Sequence, residues 1–142
     1  MVANLLEYLA TTLQADPIVS GIMTGGIYAD ELPDLATVLP PYLVITEADT
    51  NTQGILGGNQ WLDHLTLDFE VPSFTRASAR QFRDLVRDAV MAPRALGVWP
   101  GGRETGRYLA PGQTCELYES LGVTGSDVWI ARFSVTFMQA RG

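Results

Sequence analysis

The chain holds one histidine, His64, and one cysteine, Cys115. A thiol nucleophile needs a base beside it, and a zinc site built from His and Cys needs three or four ligands. One residue of each type therefore gives little to either chemistry, and it excludes a disulfide framework. His64 stands at alternate positions with Thr66, Asp68 and Glu70. A histidine with carboxylates fits general acid–base work, but the same alternation describes the solvated face of a strand. The solvated face is the expectation. Cys115 opens a strand-like stretch and is expected to pack as a small hydrophobe. Asp30, Glu31 and Asp34 crowd one segment but lack the ligand spacing of a calcium loop. The glycine groups Gly54, Gly57, Gly58 and Gly101, Gly102 do not join a strand to a helix, so neither makes a phosphate-binding turn. No G-x-S-x-G motif occurs. The expectation is a protein without catalytic residue, cofactor or metal.

Two other features could recognise a partner. Arg76, Arg80, Arg83 and Arg87 are spaced 4, 3 and 4 apart. On a helix they fall within about 60° of one another. Asp84 and Asp88 would lie on the side away from this stripe. Three readings stay open: a solvated face with intrahelical pairs, an interface meeting carboxylates of a neighbouring subunit, or contact with a nucleic-acid backbone. The second feature is the uncharged stretch Gly54, Ile55, Leu56, Gly57 and Gly58 inside a Gly-rich segment, 49–60, which reads as a loop. Its two aliphatics either fold back on the sheet or dock against a partner, with the loop ordering on contact.

The elements that must position these residues follow from periodicity. Val2, Leu6, Leu9 and Leu13 make one apolar stripe of a helix that ends at Asp16-Pro17. Asn4 with Glu7 resembles a capping box, which would start the regular helix there. Asp16 and Pro17 can in turn begin a short helix to about Ile22. Residues 27–29 and 42–48 read as strands, joined by a proline-punctuated connection over 30–41. Residues 61–71 alternate strictly and predict a strand with one buried face. A helix is expected over 75–92 and a long loop over 94–114, which contains five Gly and two Pro. Strands are expected over 115–121 and 128–139 around a turn at 122–127. The sum is an α+β fold: a mostly antiparallel sheet of about four to five strands, with two main helices packed on one face.

Composition fits one ordinary domain spanning 1–142. Net charge is −7, and all nine cations are arginine. An acidic chain is poorly matched to phosphate over its whole surface. The N-terminal stretch carries Glu7 and no basic region, so it is a poor signal peptide, and no apolar run is long enough to span a membrane. With a single thiol, assembly in a reducing cytoplasm is expected.

The segments GGIYADELP, PPYLVITEAD, WLDHLTLDFEVPSF, the FRDLVRDAV helix and VWIARFSVTFMQA together give a pattern of elements over nearly the whole chain. This pattern resembles the tail terminator, or tail completion, proteins of long-tailed bacteriophages and related particles; residues 94–114 fit it least. The resemblance implies a non-enzymatic virion protein of the tail and neck. It implies a ring, usually of six copies, that caps a finished tail tube, stops polymerisation and forms the tail side of the head–tail joint. The implied partners are further copies of the chain, the tail tube protein and a head-completion or connector protein, with DNA only passing through the lumen. Another neck or tube component, or a small α+β ligand-binding or enzymatic domain, are the alternatives.

Overall fold

The alternation around Phe69 becomes the middle of a sheet. In the computed structural model, β3 (Trp61–Ser73) pairs antiparallel with β2 (Leu43–Gly54) on one side and β7 (Val128–Arg141) on the other. The structure describes residues 2–29, 38–54, 61–91, 98–99, 103–109, 114–118 and 128–141. β1 (Ile27–Ala29) joins β2 in parallel, and the remaining described pairings are antiparallel. The strand order is β1-β2-β3-β7, continuing through β5 (Arg103–Leu109) to β4 (Val98–Trp99). β6 (Thr114–Tyr118) also pairs with β7. β5 and β6 run in line along one edge of β7, with Leu109 opposite Val135 and Thr114 opposite Arg132. Together they act as one interrupted strand.

Register places the core on one sheet face. Ile45, Phe69 and Phe133 stand directly opposite one another, as do Leu67 with Val135 and Leu65 with Phe137. All of these side chains are buried. Phe69 and Phe133 stack with ring centroids 4.6 Å apart. Two helices cover this face: α1 (Val2–Ala15) through Leu6, Leu9 and Leu13, and α3 (Arg76–Met91) through Val86 and Val90. Each large apolar side chain buried this way contributes roughly 1.5–3 kcal/mol relative to exposure. The α+β class, the mostly antiparallel sheet and the two helices on one face agree with the periodicity.

Local chemistry fixes the helix starts. Asp16 caps α2 (Pro17–Ile22), accepting from the Ile18 and Val19 amides at 2.9 and 3.4 Å, with Pro17 in the first turn where no amide is needed. Thr75 caps α3, its hydroxyl accepting from the Ser78 amide at 3.1 Å. α1 begins at Val2, so Asn4 lies inside the helix and the capping box expected there does not form its start. Gly25 and Gly26 set the entry to β1. A Cβ on Gly25 would lie 2.3 Å from the Leu39 carbonyl oxygen, and Gly26 has φ +110°. Only glycine lets the chain pass this close to the segment leading into β2. There the Pro40–Pro41 bond is cis.

Two expected loops are partly strand. β2 continues through the polar stretch to Gly54, past a register shift between Glu47 and Asp49. Within 94–114, β4 and β5 form where a loop was expected. RETGRYL carries no run of β-branched residues; it becomes a strand because β7 offers a long edge to pair with. Ile55, Leu56, Gly57 and Gly58, the segment 30–37 and the turn at 122–127 lie outside the described residues.

Candidate functional site

The arginine stripe divides into two halves. Arg83 is 89% enclosed, with 11% of its side chain accessible. Its Nε lies 3.1 Å from an Asp84 oxygen, and its Nη1 donates to the Thr114 carbonyl at 3.3 Å, tying α3 to β6. Arg87 reaches Asp84 at 3.3 Å and Asp88 at 3.5 Å. The two aspartates thus sit among the arginines and not on the far side of the helix. Their flexible side chains swing toward the charge, which backbone angles alone do not reveal.

Arg76 and Arg80 differ. Both are exposed, and neither makes an ion pair among the described residues. The Arg76 guanidinium carbon lies 5.3 Å from the centroid of the Trp129 ring, within cation–π range. Trp129 is directly opposite Ser73 of β3 on one side and Leu117 of β6 on the other. Leu117 is 43% exposed, and Phe74, next to Ser73, is 42% exposed. One end of the sheet and the first turn of α3 therefore present an apolar patch bordered by two cations. The sequence reading missed this patch, because Phe74 belongs to no periodic run and Leu117 stands alone. Only strand pairing brings them together.

The junction of α1 and α2 has its own feature. Where α1 turns into α2, Thr11, Thr12, Ala15, Asp16, Pro17 and Ile18 line an open hollow of about 600 Å³. Ile18 is 63% exposed beside it. Glu7, farther up α1, is exposed and makes no ion pair among the described residues.

The outer face of the sheet holds the suspected acid–base group. Cross-strand pairs fill it: Glu70 with Arg132 at 3.2 Å, Asp68 with Ser134, and Thr66 with Thr136 at 2.9 Å. Asp68 lies about 13 Å along the strand from His64 and is committed to Ser134. No His–carboxylate pair forms between them. The Nε2 of His64 is shut off from solvent and has no hydrogen-bond partner, contrary to the expected solvated imidazole. In the strand pairing His64 stands opposite Asn51 of β2 and Met138 of β7. Tyr42, buried near this face, has its hydroxyl pKa raised by burial, then by the Glu70 charge and by Tyr28. Cys115 is half-buried on β6. Among the described residues no group of three or more His, Cys, Asp or Glu could hold a metal ion, and no helix is long and apolar enough to cross a membrane.

No curated protein matches the chain. Among solved structures, a chain from the virion of a native gene transfer agent particle superposes with a TM-score of 0.63 at 13% identity, covering 96% of both chains. At that identity the likeness establishes the fold. A family profile described as tail completion protein gp17 matches residues 7–96, which run from α1 through the whole of α3. That is well over half of the 142 residues, and the chain belongs to the tail completion protein gp17 family, structural proteins of the virion tail.

Proposed function

We propose that the protein caps the finished tail tube as a ring of copies, six in number, ends tube polymerisation and forms the tail side of the head–tail joint. The family match over residues 7–96 is the observation that carries this reading. The partners are neighbouring copies, the tail tube protein below and a head-completion or connector protein above. The protein joins the particle in the host cytoplasm, and DNA passes through the ring without being held. A chain of net charge −7 suits that passage, because like charge keeps phosphate from sticking.

The role is structural and needs neither catalysis nor cofactor. The half-buried His64 and Cys115 belong to the sheet, so His64→Gln and Cys115→Ser proteins that fold should complete particles as the parent does.

Electron microscopy of particles made without this protein tests the reading. Tails of uncontrolled length, unjoined to heads, are expected. Tails of normal length joined to heads would overturn it. Complete loss of tubes would assign the chain to the tube itself.

A further inference from the structure

We infer that the patch formed by Phe74, Leu117, Trp129, Arg76 and Arg80 is a subunit-joining surface whose occupant is the α1–α2 corner of a second copy of this chain; the inference rests on the ring reading above.

The patch is incomplete on its own. Phe74 and Leu117 expose apolar surface beside Trp129, which Arg76 covers only in part. Arg76 is the first residue of α3, whose first turn holds no acidic residue. A cation there faces the positive end of the helix dipole, so an incoming carboxylate is favoured twice over. Arg80, one turn on, has no carboxylate partner among the described residues either. β6 adds a third element: among the described strands it pairs only with β7, which leaves its outer edge to be covered.

Charge and position argue for a second copy. The chain carries 16 acidic residues against nine arginines, so another copy is an anionic partner for this cationic spot. The same patch on a neighbour would bring arginines against arginines, and like-charge repulsion disfavours a two-fold contact of the patch with itself. The α1–α2 corner supplies the complement. Ile18 of α2 projects apolar surface beside a hollow, and Glu7 of α1 offers an exposed carboxylate that has no ion-pair partner among the described residues. α1 packs over β1 and β2, and α2 meets α1 and α3, whereas β6 lies beyond β7 at the other side of the sheet. Two unlike surfaces at different places on one chain make head-to-tail contacts, the kind that closes into a ring.

Four proteins test this: the parent, Arg76→Glu/Arg80→Glu, the same pair with Glu7→Arg added, and Ile18→Arg. The readout is native mass spectrometry of the purified chain, together with copies per tail in electron micrographs, after circular dichroism has confirmed folding. Charge reversal at Arg76 and Arg80 should weaken subunit association by about tenfold or more. Adding Glu7→Arg should recover a large part of that loss, and Ile18→Arg should abolish association from the other side. If both reversals leave assembly at the parent level, the patch is not the joint. If only the arginine variant fails, the α1–α2 corner is not its occupant. Intact rings that no longer join tubes or heads would give the patch to another virion protein and overturn the inference. A parent that stays monomeric alone and on tubes would overturn the ring reading itself. Should the double-Glu protein not fold, Ile18→Arg decides, because that side chain is 63% exposed.

Discussion

On the helix side of the β3–β7 pair, Phe69 and Phe133 stack at 4.6 Å under α1 and α3. On the reverse side, the same two strands set Glu70 against Arg132, Asp68 against Ser134, and Thr66 against Thr136. The backbone pairing is identical for both faces. Their energetics differ because one face removes apolar surface from water, whereas the other exchanges hydrogen bonds with water for hydrogen bonds across strands. The first exchange is worth kilocalories per side chain and the second about one per bond. The helix face accordingly holds the fold together. The outer face fixes the register, since a slip of one residue would bring every polar partner to the wrong side.

Phe133→Ala should show the largest effect. It leaves a cavity under Phe69 and should cost about 3–5 kcal/mol in denaturant unfolding. A loss below the cost of the outer-face variants would mean that the two faces are not unequal. Thr136→Val comes next. It keeps the shape but strips Thr66 of its partner, and about 1–2 kcal/mol should be lost. Glu70→Gln should cost less, about 0.5–1 kcal/mol, because both members of its ion pair are roughly 30% accessible and water screens them. That loss should shrink in high salt. An undiminished loss would show that the pair acts by packing.

The smallest effect is a pH dependence. The Tyr42 hydroxyl holds its proton more tightly in the folded state than at the ordinary value of 10.0. Above pH 10 the unfolded chain loses this proton first, so the native state binds more protons and stability falls as pH rises toward the folded-state pKa. Below pH 10 the contribution is fully present. Tyr42→Phe should flatten this alkaline decline while leaving stability at neutral pH nearly unchanged. An unaltered alkaline slope would assign the decline to other groups.

Residues with strong local signals went where those signals pointed. Asp16-Pro17 caps α2, the alternation from Leu65 to Val71 makes a strand with one buried face, and the apolar face of α3 covers it. The stripe from Arg76 to Arg87 shows the limit. Its spacing put four guanidinium groups on one helix face, but spacing does not tell which find partners. Arg83 and Arg87 meet Asp84 and Asp88 through side-chain torsions, and the Thr114 carbonyl reaches Arg83 from a strand 31 residues away.

By itself, then, the sequence determined the helices, the central strands, the α+β class and the likeness to tail completion proteins. Each of these rests on patterns a few residues long or on their order along the chain. Tertiary structure alone decided that RETGRYL is a strand, that His64 Nε2 lies out of water, and that Phe74, Leu117, Trp129 and Arg76 share a surface. The reason is the same in each case. An edge strand gains its hydrogen bonds from a partner far along the chain. A half-polar face is buried or open according to what lies beside it. A patch made from three separate segments exists only once the sheet has brought them together.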